Sequence, residues 1–129
     1  MTVSQLTICR WQGASLTETI IDKPTWEKIE AAILALNNAD LNDLYLNTKA
    51  GTWLCVGGGA GRYLLTGSNG DDSFPTLVDV GGNSDQKVLL TVGGQTGDYP
   101  ENWIHGLSLT LAVARNFFER GEFNSNFHW

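Results

Sequence analysis

The sequence predicts an α+β fold: an antiparallel β-meander with two helices packed on one face, in the order β-α-β-β-β-β-α plus a short C-terminal tail. Two observations carry this. Helical spacing of apolar residues occurs in only two stretches, one in the N-terminal third and one near the C-terminus. Between them lie short runs rich in valine, leucine, threonine and aromatics, with no connection long enough for a parallel crossover. Two amphipathic helices and such a sheet bury their apolar surfaces by stacking in layers.

"QLTICRW" (5–11) places Leu6 and Ile8 on one side and Thr7 and Cys9 on the other, the period of a strand. In "IIDKPTWEKIEAAILALNNAD", Trp26, Ile29, Ile33 and Leu36 form one helical stripe. Pro24 suits a first turn, Asp22 or Thr25 can cap it, and Asn37 and Asn38 mark its end. "LYLNT" (44–48) turns through Lys49, Ala50 and Gly51 into "TWLCV" (52–56). After a glycine cluster come "RYLLTG" (62–67), the polar turn "SNGDDS", "FPTLVDV" (74–80), the turn "GGNSDQ" and "KVLLTV" (87–92). "GGQTGDYPENW" reads as a long loop. From about 104 to 120 the spacing is helical again: Leu107, Leu111, Ala114 and Phe118 share a face, and Phe117 widens it. Gly121 suits the left-handed position after a helix end. A chain of 129 residues without repeat or linker is expected to be one domain.

Composition narrows the function. Fourteen acids against eight bases give a formal charge of −6. Nucleic-acid affinity rests on neutralising phosphates with Lys and Arg, so this balance argues against direct nucleic-acid binding and suits a basic partner. The N-terminus does not read as a signal peptide, and no stretch approaches the ~20 apolar residues of a membrane helix. Cys9 and Cys55 form no CxxC, so neither a disulfide framework nor a zinc site is suggested. A cytoplasmic protein with reduced, buried thiols is expected.

The candidate chemistry does not assemble. "VGGGAGR" (56–62) lacks the Gly-Lys-Ser/Thr of a phosphate loop, has Arg62 where a dinucleotide fingerprint needs its third glycine, and precedes a strand rather than a helix. It reads as a hairpin bend. Cys55 with His105 as base is a conceivable nucleophile pair, but an apolar strand raises a thiol's pKa and makes it inert. His105 and His128 lack metal-ligand spacing. Asp71 with Asp72, Asp79, Asp85, Asp98 and Glu101 could pair for acid–base work, yet most fall in turns, where solvated acids are routine. Neither a catalytic residue, a metal nor a cofactor is expected. Acids on connecting loops do suit partner contacts, and "GDYPENW" (97–103) adds Tyr99 and Trp103, residue types favoured at interface hot spots. Asp71, Asp72, Asp79, Asp98, Tyr99 and Trp103 are therefore the expected partner-binding residues.

Four stretches carry a family resemblance: "WLCVGGGAGRYLLTG", "FPTLVDV", the glycine pair and glutamine of "VGGQTGDYP", and "LAVARNFFERGEFNSNFHW". The last is the most specific, a helix with alanine, Phe-Phe, glycine, a short spacer and a terminal tryptophan. Together they resemble the Imm-one family of immunity proteins, found beside bacterial polymorphic toxins, over about residues 24 to 129. Many relatives carry a proline in the spacer where this chain reads "EFNSNFHW". The resemblance implies an α+β fold, no enzymatic activity, and tight binding to a toxin encoded next door. Nucleic-acid deaminases are among the toxins associated with the family. The expected role is neutralisation of a cognate toxin, a protein partner, with neither membrane nor small-molecule substrate involved; the alternative is a non-enzymatic regulatory or scaffold binding module. The tail is expected to be structural, with Phe127 and Trp129 returning to cover the sheet or a helix edge.

Overall fold

The computed structural model describes residues 3–129. Its main sheet has six strands, all antiparallel: β1 (Val3–Gln12), β2 (Ser15–Asp22), β3 (Leu41–Thr48), β4 (Trp53–Gly59), β5 (Arg62–Ser68) and β8 (Ile104–His105), in the spatial order β2-β1-β3-β4-β5-β8. A separate hairpin pairs β6 (Lys87–Val92) with β7 (Gln95–Pro100). The helices are α1 (Trp26–Ala35), between β2 and β3, and α2 (Leu107–Arg120) after β8. The α+β class with an antiparallel sheet is what the sequence predicts.

Both helices share one core with one face of the sheet. Leu6, Leu44, Leu46, Leu54, Val56 and Leu65 project from alternate strand positions toward Ile29, Ile33 and Leu36 of α1 and Val113, Ala114, Phe117 and Phe118 of α2. Of the stripes read from spacing, Ile29, Ile33, Leu36, Ala114, Phe117 and Phe118 are buried and Trp26, Leu107 and Leu111 half-buried, and Thr110 and Val113 are buried beside them. Trp26 and Phe118 join the two helices, with ring centroids 5.9 Å apart. Thr25 caps α1 by accepting a hydrogen bond from the Lys28 amide, and Pro24 precedes the cap rather than lying in the first turn. Gly121 ends α2 in the left-handed conformation (φ 69°), its N–H donating to the Phe117 carbonyl.

The element order differs from the expected β-α-β-β-β-β-α at four places. "SLTETIID" is β2, a full strand paired along its length with β1. "FPTLVDV" (74–80) is not a strand. It does run beside β5, with Thr66 bridged to Thr76, Gly67 N–H donating to Pro75 O and Leu77 N–H to Leu65 O. Pro75 has no amide to donate, so a regular ladder cannot continue there. The supposed loop after β6 holds β7, and β6 leaves the main sheet to pair with it. The last helix starts at Leu107, because Ile104 and His105 are taken by pairing to Leu64 and Tyr63.

The glycine cluster is the expected hairpin bend with an added role. Gly59 pairs with Arg62 across Ala60 and Gly61, both at positive φ (55° and 90°), the turn that matches strand twist. The end of α1 sits directly on this bend: Asn38 N–H donates to Gly58 O, and Ala60 N–H to Leu36 O.

Candidate protein-binding surface

Strand alternation divides the sheet's side chains into two sets. The helix-facing set is the core. The other set faces away from both helices: Leu16, Glu18, Ile20 and Asp22 from β2; Thr7, Cys9 and Trp11 from β1; Asp43, Tyr45 and Asn47 from β3; Trp53 and Cys55 from β4. Contacts across the strands confirm the shared side. Trp11 Nε1 donates to Asp43 Oδ1 at 2.9 Å, Asn47 Nδ2 donates to Thr7 Oγ1 at 3.4 Å, and the Tyr45 and Trp53 rings meet edge to face at 5.7 Å.

The β6–β7 hairpin covers one end of this face. Val92 lies over Gly57, where a Cβ would come within 2.6 Å of Val92 Cγ1, and Gly94 lies against the Trp11 ring. Two asparagines pin it: Asn38 Oδ1 accepts from Thr91 N–H at 2.7 Å and Asn42 Oδ1 from Gly94 N–H at 3.1 Å. The rest of the face is uncovered. Tyr45, Asn47 and Trp53 are half-buried, while Leu16 and Ile20 are 42% and 56% exposed, high values for aliphatic side chains. Across β2, β1, β3 and β4 no lysine or arginine belongs to this set, whereas it carries Glu18, Asp22 and Asp43. Lys23, Lys49 and Arg120 line a cleft of about 1200 Å³ that Asp22 and Glu122 also border, and Arg62 of β5 shares this side of the sheet at the end the hairpin covers.

Asp43 is buried at the centre of the covered end. It accepts from the Trp11 indole, and Cys9 and Tyr45 lie beside it on the neighbouring strand and along its own. Burial first, then the Asp43 charge, pushes the Cys9 thiol up to about 12, and the same two causes push Cys55 to about 12. Burial, with the neighbouring Cys55 and Asp43, also raises Tyr45. A thiol held at 12 is almost entirely protonated at neutral pH and is a poor nucleophile. His105 cannot serve as a base for Cys55. It pairs with Tyr63 on the helix side of the sheet, with Nε2 2.9 Å from Leu77 O, while Cys55 faces the other way. Among the described residues no three His, Cys, Asp or Glu side chains gather as metal ligands.

These thiols supply a direct check. At pH 8 the folded protein should react with iodoacetamide about a thousand-fold more slowly than the urea-unfolded chain, because three pKa units separate the two thiolate populations. Above pH 9 the unfolded thiols ionise while the folded ones keep their protons. The folded state then binds more protons, so stability should fall as pH rises from 9 toward 12. Mass-spectrometric labelling that is equally fast in folded and unfolded protein would show that Cys9 and Cys55 are not shut away.

The six residues expected from sequence to contact a partner fall in separate places. Asp71 and Asp72 lie in the exposed turn after β5, where Asp71 Oδ1 accepts from Ser73 N–H. Asp98 and Tyr99 lie in β7, opposite Leu89 and Val88. Asp79 is joined to the residue before Trp103, its N–H donating to Asn102 O at 2.7 Å. The Ser68 and Arg62 ends of β5 are about 20 Å apart, so the Asp71–Asp72 turn is well separated from the hairpin side. Leu16, Glu18 and Ile20 are not among the expected contacts, because no strand is predicted between "QLTICRW" and the first helix. Their period-two pattern after a Gly-Ala turn was the available signal. Tyr63 is buried in the helix-side core.

No known protein family, characterised protein or solved structure matches the chain in comparisons of sequence and fold.

Proposed function

We propose that this chain is an immunity protein: it binds a cognate bacterial polymorphic toxin in the cytoplasm and neutralises it by occupying a basic, nucleic-acid-binding surface, that of a deaminase or another nucleic-acid-targeting toxin. The observation that carries this reading is the open sheet face. Outside the end that the hairpin covers, it combines the exposed carboxylates of Glu18 and Asp22 with the exposed Leu16 and Ile20 and the half-buried rings of Tyr45 and Trp53, and no lysine or arginine lies on it across β2, β1, β3 and β4. Such a face offers apolar burial for affinity and a negative field for fast encounter with a basic surface. The resemblance to the Imm-one family points the same way. Among the described residues no helix is long and apolar enough to cross a membrane.

The four acids among the loop and hairpin residues, Asp71, Asp72, Asp79 and Asp98, keep a role here as outlying charges that extend the negative field, with Tyr99 and Trp103 as outlying contacts. Reversing Asp71→Lys with Asp72→Lys is expected to leave the melting temperature unchanged, since both side chains are exposed. Association with the toxin should slow several-fold at low salt, and the effect should shrink as the Debye length falls to about 8 Å at physiological ionic strength. Stopped-flow binding across a salt series reads both. The function itself is tested by co-expression with the toxin encoded beside this chain: cells should survive, and killing at full expression of both proteins would end the immunity reading.

A further inference from the structure

The two edges of the main sheet are built differently. One edge, beside β5, is broken up: β8 has two residues, Pro75 interrupts the adjoining segment, and the tail closes over it through Val78 N–H donating to His128 O. These are the devices by which proteins prevent stray strand pairing. The other edge, β2, has none of them. It runs eight residues in unbroken register with β1, from Ser15 opposite Gln12 to Asp22 opposite Gln5. It contains neither proline nor lysine, no bulge twists it, and all its residues are exposed except Ile21, which is partly so. Among the described residues nothing pairs with its outer side.

The phase of the ladder fixes what β2 offers. A two-residue turn joins β1 to β2, so Gln12 and Ser15 exchange hydrogen bonds, and the alternation continues to the Lys23 N–H donating to Ser4 O at 2.8 Å. The free N–H and C=O groups therefore belong to Leu16, Glu18, Ile20 and Asp22. These are the same four residues whose side chains lie on the open face, alternating apolar and acidic.

We infer that β2 takes an extended strand from the toxin, added antiparallel to the sheet, with basic side chains beside Glu18 and Asp22 and apolar ones beside Leu16 and Ile20. Main-chain hydrogen bonds hold the added strand, and the alternating pockets and charges select it. The incoming strand extends the open face by one more row, so edge and face act as one interface. This inference rests on the immunity reading for the identity of its occupant, but the edge can be probed without the toxin.

The probe is the acetylated, amidated peptide Lys-Thr-Val-Thr-Lys-Thr-Val, whose lysines meet Asp22 and Glu18 and whose valines meet Ile20 and Leu16. At millimolar peptide, amide exchange followed by NMR should slow several-fold at Glu18 and Ile20 and stay unchanged at Thr17 and Thr19, which already bond to β1. The same peptide with glutamate for lysine should protect neither. Absence of protection with the lysine peptide would overturn the inference. The second arm uses the neighbouring toxin and Ile20→Pro. The Ile20 N–H points outward, so proline there removes no bond to β1, an edge position that tolerates it. Melting should match the parent and toxin affinity should fall about 100-fold. If Ile20→Pro fails to fold, Glu18→Lys with Asp22→Lys replaces it, with the same expected loss. Full affinity in a folded variant overturns strand addition and leaves the immunity reading standing. Peptide protection without toxin binding by the parent sinks the immunity reading and the toxin as occupant. A parent dimer that Ile20→Pro dissociates in sedimentation would make a second copy the occupant and overturn the inference as stated.

Discussion

Gly59→Ala is expected to destabilise the protein by about 4 kcal/mol, lowering the melting temperature by about 15 °C. Two costs combine. Gly59 sits at φ 129°, a conformation that side chains with a Cβ rarely adopt. A Cβ there would also lie 2.4 Å from the Leu36 carbonyl carbon and 2.5 Å from Asn37 N. Those are backbone atoms where α1 ends on the bend, tied down by Asn38 N–H to Gly58 O and Ala60 N–H to Leu36 O, so they cannot swing aside as a flexible side chain would. Gly61→Ala is the matched control. It has positive φ (90°) but nothing within 4 Å of its Cβ, so only the backbone strain of about 1 kcal/mol remains. Thermal melts of both variants separate strain from collision, and equal losses would mean that the contact with α1 is slack. Titration calorimetry should find no ATP or NAD bound by the parent; micromolar binding would revive the phosphate-loop reading.

Trp129→Ala is expected to cost about 3 kcal/mol, a loss of packing rather than of recognition. The tail turns after Gly121, whose carbonyl accepts from Thr52 Oγ1 at 2.8 Å, and brings Phe123 onto the sheet. Phe123 lies so close to Gly67 that a Cβ there would sit 2.4 Å from its ring. Its other sides meet Phe117 of α2 at 5.4 Å and Trp129 edge to face at 4.8 Å. Trp129 closes this stack, with Phe127 beside it against the core. Removing the indole exposes Phe123 as well, which is why a half-buried ring should cost as much as a buried one. Melting should drop while toxin affinity, measured well below the new midpoint, stays at the parent value. Unchanged melting with lost toxin binding would make Trp129 an interface anchor instead.

How much of this was legible without coordinates differs from element to element. Both helices were, because Ile29, Ile33 and Leu36, and Ala114, Phe117 and Phe118, repeat at helical spacing and must bury one stripe. So were β3, β4, β5 and β6, where alternation or branched residues lie between turn signals. The tail's structural role followed from its aromatics, although Phe123, its central member, was not singled out. The candidate surface was legible only in part. Acids on loops were visible as acids, but the sheet separates Asp71 and Asp72 from the hairpin that carries Asp98 and Tyr99. Asp43 gave no sign of being buried, since burial depends on Trp11 and Gly94 meeting above it.

The sequence by itself determined which segments are amphipathic, the class of fold they require, and the excess of acid, because each depends on local spacing or on composition. The tertiary structure decided which strands are neighbours and therefore where charge and exposed apolar surface gather. Pairing in an antiparallel sheet brings residues far apart in the chain to within 5 Å, and turn phase determines which backbone groups remain free. Glu18 is one acid among fourteen in the sequence. Only β2's place at the end of the sheet, with β1 on one side and no described strand on the other, sets it beside an open edge.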